Sequence, residues 1–298
     1  MKLAALVCAL VFAAGGTLYA ELRVHFIDVG QGAAVLLETD DHAVLVDAGE
    51  GEDAAEYIER LGIAEIQLAV ATHAHADHIG GFPAVFEQTD VRKLWYNGQE
   101  HTTITFERFL DAVLASDAEY KEPGRGHTRR FGELRLRVLH PEGSAAEYEG
   151  DLHDQNIVLR AEYREFAVTL TGDAETGVEY ELLDAGEQLE ATALKMGHHG
   201  SRTSSSASFV EAVAPEIVVY QAGAGNPYGH PHEEALERVR AAGDPEIYGT
   251  DVHGTIIIRT DGHEYEVLTE AGNRTESARR AETTERAEAA KRNPGGVP

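Results

Sequence analysis

Four side chains that can bind metal ions fall within six consecutive residues of this chain. Residues 72–81 read THAHADHIGG and contain His73, His75, Asp77 and His78. Side chains two apart on a strand share a face, so His73 and His75 point to one place, and Asp77 and His78, past the bend, can point to a second. Imidazole suits zinc, iron or manganese, and a carboxylate beside it favours a borderline or harder divalent ion. The motif therefore predicts two divalent metal ions, with zinc or manganese expected.

A two-metal site needs more ligands than one loop supplies, and the ends of later strands provide them. Asp173 follows an apolar segment at 167–171 and is the predicted carboxylate between the two ions. His198 and His199 come next, in the segment KMGHHGS at 195–201. Because adjacent side chains on an extended chain point apart, we expect one of this pair to bind metal and the other to face a substrate.

The elements that must position these residues are short strands and helices in alternation. An apolar run leads into the histidine motif and a glycine pair leads out of it toward a helix, so we expect the histidines at the carboxyl end of a strand, where α/β sheets place their sites. Predicted strands cover 23–28, 33–39, 43–47, 66–71, 134–139, 157–162, 167–171, 217–220 and 255–259, and predicted helices cover 53–61, 105–116, 207–213 and 233–242.

Length and composition indicate one large globular domain. The chain has 298 residues, of which 43% are hydrophobic, so disorder is not expected for its body. Neither an internal repeat nor an interior linker divides it, and we expect a single domain over residues 21–270. Residues 271–298 lack a sustained apolar stripe and are expected to form a frayed helix or a disordered tail.

The first twenty residues have the pattern of a secretory signal peptide. Lys2 precedes an apolar run over residues 3–14, and small residues lead to Ala20. The run is short for a bilayer span, which needs roughly 20 apolar residues. We expect cleavage after Ala20, a secreted or periplasmic protein, and no stable membrane insertion. An uncleaved anchor is the alternative.

Cysteine content and net charge exclude some kinds of site and argue against others. Cys8, the single cysteine, lies in the signal segment. A mature chain would therefore carry no disulfide, thiolate ligand or cysteine nucleophile. The formal net charge of −27 argues against an extended nucleic-acid-binding surface, because affinity for phosphates comes mainly from clustered Lys and Arg.

These segments together resemble the metallo-β-lactamase superfamily and, within it, the hydrolase domain of ComEC-like competence proteins. The resemblance extends from about residue 23 to residue 268. It rests on the histidine motif and on the segments HFIDVGQG (25–32), LVDAG (45–49), LTGD (170–173), HHGS (198–201) and NPYGHP (226–231). The resemblance implies an α/β (α+β) fold, a four-layered αββα sandwich in one domain, with the metal ions at one edge between its two sheets.

The resemblance also implies a role for each residue of the motif. It assigns His73 and His75 to the first ion and Asp77 and His78 to the second ion. Asp173 is implied to contact both ions. The motif and the later carboxylate would thus form the centre of the site.

Further residues complete the implied site. His199 is implied as a ligand of the second ion, with His198 turned toward a substrate phosphate, and the reverse order is also open. Asp47 resembles a buried carboxylate that orients the histidine loop through backbone N–H groups rather than binding metal. The third ligand of the first ion is expected to be His153, just before the strand that leads to LTGD, with Asp154 as the alternative.

The reaction implied by the resemblance is metal-assisted hydrolysis. Asp77 is predicted to hold the attacking water in line, and His198, His230 or Lys195 to stabilise charge on the substrate. The main hypothesis is an exported phosphodiesterase or nuclease, with DNA as one substrate. The alternatives are a hydrolase of a small lactam, lactone or choline phosphoester, and a metal-binding module without catalytic activity. The oligomeric state is left open.

Overall fold

The computed structural model describes residues 21–271, so the predicted signal peptide and nearly all of the predicted tail lie outside the described residues. In chain order the strands are β1 (Leu22–Phe26), β2 (Val35–Glu38), β3 (Ala43–Val46), β4 (Glu65–Ile66), β5 (Leu68–Ala71), β6 (Asp90–Val91), β7 (Lys93–Tyr96), β8 (Glu119–Lys121), β9 (Thr128–Phe131), β10 (Leu134–His140), β11 (Val158–Tyr163), β12 (Phe166–Leu170), β13 (Ala193–Lys195), β14 (Ile217–Tyr220), β15 (Glu246–Gly249), β16 (Ile256–Thr260) and β17 (Tyr265–Thr269). The helices are α1 (Asp53–Arg60), α2 (Ala76–Ile79), α3 (Phe82–Gln88), α4 (Ile104–Ala115), α5 (Thr176–Asp184), α6 (Ala207–Val213), α7 (Glu233–Ala241) and α8 (Thr250–His253).

Most of the strands belong to two mixed sheets. The order is β17-β16-β1-β2-β3-β5-β7-β8 in the first sheet and β15-β14-β13-β12-β11-β10-β9 in the second. In the first sheet β1, β2 and β3 pair antiparallel, and β3, β5 and β7 pair parallel. In the second sheet β10, β11 and β12 pair antiparallel, and β12, β13 and β14 pair parallel. Parallel neighbours need crossover connections, which are usually helices on a face of the sheet.

Three apolar cores hold the layers together. The central core lies between the sheets and includes Phe26 and Leu136. A second core, including Ile58, joins the first sheet to α1, α3 and α4, and a third, including Val210, joins the second sheet to α5, α6 and α7. Burying one such side chain contributes about 1.5–3 kcal/mol. The predicted fold, two mixed sheets flanked by helices in a single domain, is confirmed.

The predicted elements agree with the structure where apolar residues recur regularly. The helix predicted at 53–61 spans Asp53–Arg60, and the strand predicted at 217–220 spans Ile217–Tyr220. The sequence did not predict β8 and β9, because most of their residues are polar and exposed. No helix within residues 21–271 is long and apolar enough to cross a membrane.

The connections that follow β3, β5, β12, β13 and β14 carry most of the predicted site residues. Within each sheet these strands run parallel, so their carboxyl ends meet at one edge. His153 precedes β11, which is antiparallel to β12, and it therefore reaches the same edge from the opposite chain direction. The expectation that the histidine motif follows the carboxyl end of a strand is confirmed.

Candidate metal centre

The histidine motif bends between β5 and α2, and this bend directs its side chains to two places. His73 and His75 lie before α2, whereas Asp77 and His78 belong to its first turn. His73 Nε2 is 2.9 Å from His75 Nδ1, so these two rings converge. His73 and His78 are fully buried.

The glycine-rich loop at 30–33 packs directly on α2 and fixes its position. The backbone N–H of Ala33 donates to the carbonyl oxygen of Asp77 at 3.0 Å. Gly32 has φ of 140°, and a Cβ added there would lie 2.5 Å from the same carbonyl oxygen. Because any larger residue would push the loop and the helix apart, Gly32 is required for this close approach.

His73, His75 and His153 form a first group of convergent nitrogen atoms, which lie within 4.8 Å of one another. Asp151 holds His153 in place: its Oδ1 accepts the backbone N–H of His153 at 2.9 Å and lies 2.9 Å from His153 Nδ1. His153 Nε2 is buried and has no hydrogen-bond partner among the described residues. A metal ion would satisfy this nitrogen.

Asp77, His78 and His199 form a second group within the same distance limit. His199 Nε2 lies 3.1 Å from Asp77 Oδ2 and 3.1 Å from Asp173 Oδ2. His78 Nε2 lies 3.1 Å from Asp173 Oδ1, and Asp173 also groups with His73 and His78. Asp173 is thus placed between the two groups, as its predicted role requires.

Asp173 is held by the strand ends around it. Its backbone N–H donates to Asn156 Oδ1 at 3.0 Å, and Asn156 Nδ2 donates to the carbonyl oxygen of Thr171 at 2.6 Å. The preceding Gly172 has φ of 52°, and a Cβ there would clash with the Asn156 amide. Asn156 therefore fixes the turn that presents the carboxylate.

His198 and His199 both border the site, which corrects the expectation that their side chains point apart. Both residues adopt the left-handed backbone conformation, with φ of 45° and 55°, rather than the extended one. His199 is buried among the ligands. His198 Nδ1 lies 2.9 Å from Glu175 Oε1, and His198 belongs to a fourth group of potential ligands with His153 and Asp173. His199 is thus placed among the residues that could bind a metal ion, and His198 between these residues and the cleft.

The protonation of the buried groups suits a cation-binding centre. Burial lowers the pKa of His73 well below its usual value and lowers the pKa of His75 to about 4, so both rings are neutral at pH 7 and offer lone pairs. Burial also acts to lower the pKa of His78, but Asp173 and Asp47 outweigh it and raise this pKa well above its usual value. The carboxylates thus require a positive charge at this point. A metal ion would supply it in place of a proton.

The spacing of the nitrogen atoms also fits metal coordination. His73 Nε2 and His75 Nδ1 are 2.9 Å apart, and His78 Nε2 and His199 Nε2 are 3.3 Å apart. Two nitrogen ligands on one zinc-sized ion, each about 2.0–2.1 Å from it, lie roughly 2.8–3.4 Å apart at angles from about 90° to tetrahedral. The buried His and Asp clusters therefore fit two metal ions.

Asp47 lies behind the ligands and orients them. Its Oδ1 accepts the backbone N–H of Thr72 at 2.8 Å. Its Oδ2 accepts the Thr72 hydroxyl at 2.8 Å and lies 2.7 Å from His78 Nδ1. Asp47 thus contacts one backbone N–H group and two side chains, where the resemblance implied backbone groups alone. This contact fixes the tautomer in which His78 Nε2 faces the metal position.

We expect Asp47→Asn to weaken metal binding by about 10- to 100-fold, because loss of such a partner disturbs the orientation and basicity of the ligand. A competitive titration against a chromogenic chelator measures this change. Asp41→Asn, at an exposed carboxylate in the turn after β2, is the matched control. Wild-type affinity in Asp47→Asn would contradict the orienting role.

Two predicted site residues do not face the cluster. Lys195 is 2% exposed, and its ammonium group donates to the carbonyl oxygens of Gly172 at 2.9 Å and Met196 at 3.4 Å. It lies on β13, a central strand, and burial lowers its pKa. This placement corrects the prediction that Lys195 stabilises charge on a substrate. Asp154 is exposed and accepts the Tyr148 hydroxyl at 2.7 Å, so His153 rather than Asp154 turns toward the ligands.

The ligand groups open onto a surface cleft of about 290 Å³. His230 lies on its wall, as predicted for a residue that meets the substrate, and Tyr228 and Gln31 also line it. Burial lowers the pKa of His230 to about 4, so its ring is neutral at pH 7. Sequence reasoning did not select Tyr228 or Glu175. The NPYGHP segment was the available signal for Tyr228.

Sequence comparison shows which known proteins this chain resembles. The sequence model of the metallo-beta-lactamase superfamily matches residues 27–223. The chain is 27% identical over 263 residues to ComE operon protein 3 of Bacillus subtilis, covering 81% of this chain and 33% of that protein. It is 30% identical over 249 residues to the competence protein ComA of Neisseria gonorrhoeae, covering 81% and 31%. The chain thus spans about a third of the length of these relatives.

A solved structure agrees at the level of the fold. The metallo-beta-lactamase fold protein YhfI from Bacillus subtilis superposes with a TM-score of 0.56 at 11% identity, covering 81% of this chain and all of that one. At this identity the likeness concerns the arrangement of sheets and helices alone.

Proposed function

This chain belongs to the metallo-β-lactamase superfamily, and we propose that it is an exported, two-metal phosphodiesterase that acts on nucleic-acid strands. The observation that carries the proposal is the overlap of the ligand groups at one cleft: Asp173 belongs both to a group with His73 and His78 and to a group with His153 and His198. One carboxylate shared in this way suits two adjacent ions, which is the arrangement of many enzymes that cleave phosphate esters.

Two bound divalent ions would lower the pKa of a water molecule and stabilise negative charge on phosphate oxygens. Asp77 is the residue that can orient this water. Burial acts against its ionisation, but the hydrogen bond from His199 together with the positive charges of His78 and His199 outweighs burial and lowers the pKa of Asp77 to about 2. A carboxylate with so low a pKa is a weak base. Asp77 therefore accepts a hydrogen bond from the water and orients it, rather than removing a proton from the water as a general base.

His198 and His230 are the chain's own groups for the substrate phosphate. Glu175 accepts a hydrogen bond from His198 Nδ1. The other ring nitrogen, Nε2, can donate to a phosphate oxygen only in the imidazolium form, in which both nitrogens carry protons. His230 Nδ1 is buried and has no hydrogen-bond partner among the described residues. The ring of His230 can turn one N–H toward a developing negative charge. Both histidines line the cleft.

The proposal predicts that the purified protein hydrolyses bis-p-nitrophenyl phosphate when Mn²⁺ or Zn²⁺ is present. His75→Ala removes one nitrogen of the first group and should lower the rate by at least about 100-fold. The release of p-nitrophenolate and the cleavage of a single-stranded DNA oligonucleotide are measured in parallel. A protein with bound metal that leaves both substrates intact would contradict the phosphodiesterase proposal.

The choice of nucleic acid rests on the relatives. Two of the proteins similar to this chain are named as competence or ComE operon proteins, and a third is named recombination protein 2 of Haemophilus influenzae. These names support a nucleic-acid substrate for this chain. The net charge of −27 favours the second candidate function, hydrolysis of a small lactam, lactone or choline phosphoester. Turnover of a chromogenic lactam together with inertness toward phosphodiesters would support that alternative.

The proposed location outside the cytoplasm rests on the sequence of residues 1–20, with its basic start, apolar run and small residues. Expression of the full chain followed by N-terminal sequencing of the exported material tests this. A mature chain that begins at Glu21 is expected.

A further inference from the structure

Three aromatic rings form a series that leads from the ligands to the surface. The ring of His199 lies nearly parallel to that of His230, with 22° between the planes and 6.0 Å between the centroids. The ring of His230 lies nearly parallel to that of Tyr228, with 23° and 5.7 Å. Exposure increases along the series, from the buried His199 to Tyr228, which is 61% exposed. The series ends in a large aromatic face at the mouth of the cleft.

The loop that carries Tyr228 is held in place although the side chain is exposed. The Oδ1 of Asn226 accepts the backbone N–H groups of Tyr228 at 3.1 Å and His230 at 3.0 Å. Its Nδ2 donates to the carbonyl oxygens of Gly223 at 2.9 Å and His230 at 2.6 Å. One side chain thus closes the loop on itself. The ring of Tyr228 is therefore presented at a fixed place, which lowers the entropic cost of binding a flat group against it.

The cleft offers no Lys or Arg side chain for a polyanionic substrate. None of the described residues that line it is Lys or Arg. A protein of net charge −27 cannot gain affinity for a nucleic-acid strand from its overall field. Stacking of bases on aromatic rings does not depend on charge, and it strengthens binding by about 5- to 150-fold per base in proteins that bind single strands.

We propose that Tyr228 is a stacking platform for a nucleobase next to the phosphodiester that is cleaved, so that the enzyme selects single-stranded nucleic acid over duplex and over simple alkyl esters. This inference rests on the proposed phosphodiesterase function. A base paired within a duplex keeps its faces against its neighbours and cannot stack on Tyr228. A base in a single strand can turn out and stack there while its phosphate reaches His198 and the ligands.

Two esters with the same leaving group test the platform. Thymidine 5′-(p-nitrophenyl phosphate) carries a base, and methyl p-nitrophenyl phosphate does not. In Tyr228→Ala the ratio of kcat/KM for the thymidine ester to that for the methyl ester should fall by about 5-fold or more, mainly through KM. Tyr228→Phe and Tyr228→Trp should keep the wild-type ratio, because both retain a flat ring. Tyr180→Ala, at a tyrosine that is 52% exposed on α5, is the matched control.

A binding measurement separates this inference from the proposed function. Fluorescence anisotropy follows a fluorescein-labelled phosphorothioate oligothymidylate of six nucleotides, which resists hydrolysis. Tyr228→Ala should raise its Kd by about 5-fold or more, and Tyr180→Ala should not. Hydrolysis of both esters with an unchanged ratio and an unchanged Kd in Tyr228→Ala would overturn the platform and leave the phosphodiesterase standing. Weaker binding by Tyr228→Ala in a protein that hydrolyses neither ester would support the platform and overturn the proposed function.

Discussion

Asp173→Asn is expected to lower phosphodiesterase activity by at least about 10³-fold. Loss of one group that stabilises transition-state charge costs about 10²- to 10³-fold, and this substitution also removes a negative charge from the point where the ligand groups overlap. The carboxylate oxygens of Asp173 each lie 3.1 Å from a ring nitrogen, one of His78 and one of His199. An amide has nearly the same shape but holds a divalent ion far less strongly, so bound metal should fall together with the rate.

Asp154→Asn is the matched control for this prediction. Asp154 is an exposed carboxylate in the same part of the fold, and its partner is the hydroxyl of Tyr148 rather than the histidine cluster. Its substitution should leave activity within about twofold of the wild type, because surface changes away from a site have small effects. Initial rates on bis-p-nitrophenyl phosphate and far-ultraviolet circular dichroism are measured for both variants. A folded Asp173→Asn protein with more than a tenth of the wild-type rate would refute the role given to Asp173.

Removal of metal is expected to lower the melting temperature of the wild-type protein by about 10–20 °C. A ligand at 100 times its Kd stabilises the folded state by about 2.7 kcal/mol, so two such sites contribute about 5 kcal/mol. For a domain of this size each kcal/mol shifts the Tm by about 2–4 °C. The physical origin lies in the buried ligands: without the ions, protons on His78 and His199 must balance the charge of Asp173, and His153 Nε2 has no hydrogen-bond partner among the described residues.

Scanning calorimetry before and after treatment with a chelator, followed by return of Mn²⁺ or Zn²⁺, measures this difference. Asp173→Asn serves as the control, because a protein that binds less metal should lose less stability when a chelator is added. If the chelator changes the Tm of the wild-type protein by less than about 2 °C, the His and Asp clusters do not hold metal ions in the folded protein.

The sequence predicted the parts of the site that depend on local geometry. His73 and His75 share a side because they follow a strand two residues apart, and Asp77 and His78 join a second ligand group because they belong to the helix that follows. Asp173 could be selected because it directly follows the apolar strand that leads to LTGD. These side-chain directions could be predicted because they depend on the local secondary structure, which nearby residues determine.

The parts that depend on packing between distant segments could not be predicted. Lys195 follows two apolar residues on a three-residue strand, and only its place between β12 and β14 shows that its ammonium group is buried. The left-handed conformation of His198 and His199 directs both rings to the cleft, and no sequence pattern specified it. The partners of these ligands, such as Asp151 and Glu175, are common surface residue types that gain a role only through contact.

The proposed function requires that one chain holds two divalent ions at the overlap around Asp173. Elemental analysis of the wild-type protein, purified without chelator and dialysed against metal-free buffer, measures this metal content. We expect two equivalents of zinc or manganese for each chain. A value below one equivalent, unchanged after incubation with either ion, would contradict it.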